Sequence, residues 1–355
     1  MKSKALFATA WCLVGLVLVL SQLAFAQEQG RGKKQGLGQP EGVRQVTVTE
    51  IPGVVAAGAK WTLAWQGTDN ADGIVGTADG GLLFAQEQPN RISKLDKNDK
   101  VSVFLEDTHG AGALTIDSKG RILAAERTCT DPGRQLAQCS EPTAVGVLAP
   151  ERKILADHID GKSPGDGKSP GDGKSLGRLN DLTVDKKGNV YFNGSGTFHL
   201  NAKGQVSAIG ENIRTNGIIL SRDEKTLYVT NGGALVAFDI QPNGRVGNQR
   251  DFGKLEAGGN GDGMAIDAEG RLYVTSGPGV QVFSPEGKFL GVVPTPRSVI
   301  SAAFSGPDKK TLYVVGAGAL GPDGQEFRTP EGVRNNAKTI YKITMLAQGF
   351  KGRAK

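Results

Sequence analysis

Six stretches of the chain repeat one alternation of apolar and polar positions. They begin at Asp72, Gly112, Asn180, Asn216, Asp262 and Ser301, and read DGIVGTADGGLLF, GALTIDSKGRILA, NDLTVDKKGNVYF, NGIILSRDEKTLYV, DGMAIDAEGRLYV and SAAFSGPDKKTLYV. Each holds a short apolar run, a turn rich in Asp, Lys and Gly, and a second apolar run, which is the pattern of a β-hairpin. The second run starts ten residues after the lead in four copies (Leu82, Ile122, Val190, Leu272) and eleven after it in two (Leu227, Leu312). Further strand candidates lie between the hairpins, such as Arg91–Leu95 with Val101–Phe104 and Val280–Phe283 with Phe289–Val293. Two hairpins per repeat make a four-stranded antiparallel unit. Leads are spaced 40, 68, 36, 46 and 39 residues apart, and a propeller blade needs roughly 40–50. The expected fold is all-β: a six-bladed β-propeller of four-stranded antiparallel blades over residues 43–346. Val43–Ile51 reads as a strand and, with Thr339–Met345, is expected to close the ring.

Only the second spacing is anomalous. Residues 161–178 read GKSPGD, GKSPGD, GKSLGR, so 161–172 is a tandem insert of two six-residue units. A solvated Gly/Pro loop lengthens at little thermodynamic cost; a lid over a substrate is the sharper alternative. The rest of the excess is the segment Thr128–Pro142, in which nine residues separate Cys129 from Cys139. In an oxidising compartment these two are expected to form a disulfide. The alternative is a pair of unlinked thiols.

Such a compartment follows from the N-terminus. Lys2 and Lys4 precede an apolar run from Ala5 to Leu20, and Ala24-Phe25-Ala26 supplies the small residues of a cleavage site. Residues 1–26 are read as a signal peptide, with a membrane anchor as the competing reading. The mature protein is expected in the periplasm or secreted, as a monomer. Residues 27–42 read as a flexible linker and 347–355 as a basic tail. Loss of Lys2 and Lys4 takes the formal charge from +6 to +4. No basic stretch is interleaved with aromatics, so nucleic acid is not an expected partner, and no later segment is apolar enough to span a bilayer. The 52 glycines and 6% aromatic content suit many short strands joined by tight turns.

The leads carry the candidate chemistry. In a propeller the start of each innermost strand lies near the central channel, so Asp72, Asn180, Asn216 and Asp262 should converge there, with small residues at positions 112 and 301. Asn-Gly and Asp-Gly also favour turns anywhere, but here they precede an apolar strand at one fixed register. Two carboxylates and two amide carbonyls at one point repel unless a cation sits among them. They are hard donors suited to Ca²⁺, with Mg²⁺ or Mn²⁺ possible and Zn²⁺ less natural without His or Cys.

The segments 178–192 (RLNDLTVDKKGNVYF), 215–230 (TNGIILSRDEKTLYVT) and 261–288 resemble the gluconolactonase/regucalcin family of six-bladed propellers, in the family's order. The resemblance covers roughly residues 45–345. It implies hydrolysis of sugar-type lactones at a divalent metal in the axial channel, with Asp72, Asn180, Asn216 and Asp262 as the ligand set and Asp262 as the general base directing water at the lactone carbonyl. Two positions depart from the family pattern. Asp72-Gly73-Ile74 stands where Glu-Gly-Pro is usual, and blade 2 opens with His109-Gly-Ala-Gly112 where members often place a substrate-binding Asn with an Arg nearby. Glu126, Arg127 and His109 are the expected replacement substrate contacts. The alternative reading is a non-catalytic, cation-stabilised propeller that binds a partner. Another chemistry on the same fold, such as phosphoester hydrolysis or condensation, is a third.

Overall fold

The computed structural model describes residues 42–127, 141–159, 174–242, 244–327 and 337–353. The expected signal peptide (1–26), nearly all of the expected linker, Cys129, Cys139, the 161–172 insert and the last two residues lie outside them.

Among the described residues there is no helix. Six four-stranded antiparallel sheets span residues 74–106, 111–156, 182–209, 218–254, 264–294 and 299–344, the last completed by a strand from near the N-terminus. Their innermost strands are Ile74–Gly76, Ala111–Ile116, Leu182–Val184, Ile218–Leu220, Met264–Ile266 and Val299–Ser305, and they neighbour one another in ring order, the sixth against the first. This is the six-bladed propeller expected from the repeats. A small ladder, His158–Ile159 with Lys174–Ser175, flanks the insert.

The repeated turn has a simple cause. In blades 2, 3 and 5 the turn's first Asp accepts two backbone hydrogen bonds: Asp117 Oδ1 from the amides of Lys119 and Arg121 (2.9 Å each), Asp185 Oδ1 from Lys187 and Asn189 (2.9 and 2.8 Å), and Asp267 Oδ1 from Glu269 and Arg271 (2.9 Å each). The glycine three residues on takes the left-handed conformation that closes the turn, as at Gly120 with φ 77°. Apolar residues of adjacent blades then pack face to face. Leu123, Val145 and Val147 of blade 2 share one core with Leu182, Phe192 and Phe198 of blade 3, for example.

Ring closure occurs as expected in kind but with a different strand. Thr62–Gln66, not Val43–Ile51, pairs with Ala337–Thr344, in the register Leu63↔Tyr341 and Gln66↔Thr339. Pro52-Gly53 breaks the earlier segment: Ile51 bonds back to Val55 across a turn in which Gly53 has φ 71°. Its apolar residues are used instead for packing. Val48, Ile51, Val54 and Val55 are buried against Tyr273, Val280 and Val282 of blade 5 and Phe304 and Tyr341 of blade 6.

Candidate active site

Glycine follows three of the leads because the next blade arrives there. A Cβ on Gly73 would lie 2.6 Å from Ala113 Cα, one on Gly217 2.0 Å from Asp262 O, and one on Gly263 2.8 Å from Ile300 O. The Gly73 amide donates to Gly112 O (2.7 Å) and the Gly263 amide to Ile300 O (2.8 Å). These dipeptides therefore mark close approach of neighbouring inner strands at the axis, not turns. Blade 3 has Asp181 in the glycine's place, and its Oδ2 reaches across to accept the Ile218 amide of blade 4 (3.1 Å).

This packing brings the leads together. The Asn180 amide donates to Asn216 Oδ1, and the Asn216 side chain hydrogen-bonds the Asp262 carboxylate. Burial pushes the Asp262 carboxyl up to about 8, helped by the negative charges of Asp72 and Asp181 and opposed by the hydrogen bonds from Asn216 and the Gly263 amide. Asp72 is also raised, by burial, against the pull of Arg127.

Arg127 enters the same space. It is 1% exposed, with Nη2 2.5 Å from Asp72 Oδ2 and paired also with the fully buried Glu87. Gly112 makes this possible: a Cβ there would overlap the guanidinium, 1.2 Å from Nη2. The guanidinium thus takes the volume that a side chain at blade 2's lead would fill. Arg178, at the rim, adds a second positive field on Asp72. Three aspartates and Glu87 face two guanidinium groups, so full ionisation would leave the centre with excess negative charge, which the raised Asp262 avoids by holding its proton.

The other two residues expected as substrate contacts point elsewhere. Glu126 turns from the axis toward Gly146 of its own sheet and accepts from Arg152 (2.6 Å), and His109 Nδ1 lies 2.5 Å from Glu141 Oε1. Sequence reasoning missed Glu87 and Asp181. Glu87 follows Leu82 by five residues, as Arg127 follows Ile122, so extending the repeat alignment past the second apolar run would have paired an acid with a base at equivalent strand ends.

At the opposite mouth the C-terminal segment is tucked in. Arg353 is buried and donates to Leu220 O (2.5 Å) and Ser221 O, while Lys309 Nζ donates to Phe350 O (2.9 Å) and Arg353 O (2.8 Å). Burial and the adjacent Arg353 charge bring Lys309 down to about 8.

A family profile described as the SMP-30/Gluconolactonase/LRE-like region matches residues 71–318, more than half of the chain. The chain belongs to this family. Among its relatives is the gluconolactonase of Zymomonas mobilis, 26% identical over 277 residues, which span 66% of this chain and 72% of that one. The gluconolactonase structure from Xanthomonas campestris superposes with a TM-score of 0.64 at 18% identity, over 87% of this chain and 98% of that one. The calcium-binding regucalcin of Agrobacterium tumefaciens gives 0.59 at 18%, over 82% and 96%. At these identities the two structures establish the shared family fold.

Proposed function

We propose that this protein is an exported lactonase that opens sugar-type lactones, or related esters, in the axial channel with the help of a divalent cation. One observation carries the reading: Asp262, an acid raised to about 8, stands hydrogen-bonded to Asn216 and within the field of Asp72 where the inner strands meet. Ionised, that carboxylate is buried beside Asp72 and Asp181 with charge that a divalent cation would offset, and it stands where a general base for water is needed. The gluconolactonase named among the relatives supports the substrate class, and the pattern of residues 1–26 supports export.

The donor set fits a cation. Asp72, Asn180, Asn216 and Asp262 offer only oxygen, and the surplus of carboxylate over guanidinium leaves charge for a divalent ion to balance. These four would hold it, with Ca²⁺ the best match to hard donors. When bound, such an ion supplies polarisation of a carbonyl and acidification of water. The remaining work belongs to the chain. Asn216 orients the Asp262 carboxylate, which takes a proton from water as the oxygen adds to the lactone carbonyl. When the ring C–O bond breaks, the same proton goes to the departing ring oxygen, leaving a hydroxy acid. Arg127 holds Asp72 in place and presents buried positive charge beside the developing oxyanion.

One feature favours the second reading, a binding propeller without turnover: Arg127 already partners Asp72, which weakens that carboxylate as a ligand. A panel of aliphatic and sugar lactones, assayed with Ca²⁺, Mn²⁺ or Zn²⁺ and with EDTA, separates the two. Hydrolysis of at least one lactone, lost in EDTA and restored by a cation, is expected; no turnover under any metal supports the binding propeller.

A further inference from the structure

We propose that His109, Glu126 and Glu141 form a second divalent-cation site, on blade 2, turned away from the axial channel and independent of the lactonase reading. Glu126 is the last residue of the second strand (Ile122–Glu126), and its side chain is directed over the third. Gly146 opens the space beside it, since a Cβ there would lie 2.5 Å from Glu126 Oε1. Glu126 is 1% exposed; its Oε2 accepts from Arg152 Nη2 at 2.6 Å, but its Oε1 has no hydrogen-bond partner among the described residues. A buried carboxylate oxygen without a donor is costly and calls for an explanation.

The groups around it supply one. Ligand atoms of His109, Glu126 and Glu141 all lie within 4.8 Å of one another, and His109 Nδ1 is 2.5 Å from Glu141 Oε1. Arg152 Nη2 also touches Glu141 Oε1 at 3.1 Å. As an ion-pair network this cluster leaves Glu126 Oε1 unsatisfied; a cation held through both oxygens of the Glu126 carboxylate would satisfy it. The Arg152 side chain is one-third exposed, so it can withdraw into water when an ion takes its place between the carboxylates.

The donors indicate the ion. One imidazole nitrogen with two carboxylates is a borderline set, suited to Zn²⁺ and next to Mn²⁺, and unlike the all-oxygen set on the axis that suits Ca²⁺. An ion here would join three separate parts of blade 2: the entry to its inner strand (His109), the end of its second (Glu126) and the approach to its third (Glu141). It would also fix the residue whose carbonyl accepts the Arg127 amide (3.2 Å).

Calorimetric titration of Zn²⁺ into the mature protein carrying Asp262→Ala tests this, because the axial site is disabled there. One saturable equivalent is expected, together with a rise in melting temperature. His109→Ala and Glu141→Gln should each weaken binding on the order of tenfold or more, and Arg152→Gln should tighten it. Glu141→Gln keeps the shape of a side chain that is one-third exposed, so it reads the site even if His109→Ala folds poorly. Absence of saturable zinc binding would overturn the proposal, as would zinc binding indifferent to both Glu141→Gln and His109→Ala.

Discussion

Burial and like charge hold the Asp262 carboxyl at about 8, whereas an unfolded aspartate titrates near 3.8. Between those values the folded protein binds the extra proton, so in the absence of divalent cations stability should fall as pH rises from about 4 to 8. Melting temperatures across that range in EDTA are expected to show the decline, and Asp262→Asn should flatten it. A cation needs the ionised carboxylate, so binding at pH 7 should release close to one proton, read from the dependence of calorimetric heat on buffer ionisation. The same scale explains Gly112. Arg127→Met removes the cation paired with the buried Glu87, which keeps the hydrogen bond from Asn70; a loss of about 3–5 kcal/mol is expected, measurable by denaturant unfolding. Gly112→Ala should approach that cost by displacing the guanidinium, and the double variant should cost little more than either single one. Additive costs would show that the two residues do not share one volume.

Which elements could be read in advance depended on whether they repeat. The Asp turns, the inner strands and the leads recur six times, and each copy supports the others. The closing strand occurs once, is five residues long and leaves Leu63 42% exposed, so no periodic signal marks it. Val43–Ile51 alternates more convincingly, yet Pro52-Gly53 turns it back and its apolar side chains serve interblade packing. The axial aspartates and asparagines were legible from register alone, and Arg127 from its strand end. Glu87 and Asp181 were not, because their roles depend on which neighbour the ring sets beside them. Closure can be tested at this scale. A chain beginning at residue 42 should melt like the mature protein, whereas one beginning at residue 67 leaves blade 6 a strand short and should lose its cooperative transition in thermal melts. Equal melts would show that blade 6 closes without Thr62–Gln66.

Across the whole molecule, the propeller gathers acids from three blades (Asp72 and Glu87, Asp181, Asp262) around a channel whose other mouth is tucked under Arg353 and Lys309. On the proposed reading, substrate approaches from the face where Arg127 and Asp262 lie, and a neutral lactone enters a centre whose charge a divalent cation would bring near balance. The most direct test compares initial rates of lactone hydrolysis by the wild-type protein and Asp262→Asn at saturating cation. The substitution keeps an oxygen donor of the same size and removes the basicity, so the rate should fall by about 10²–10⁴, the usual share of general-base catalysis. Undiminished hydrolysis by Asp262→Asn, on a lactone the wild type opens, would contradict the account.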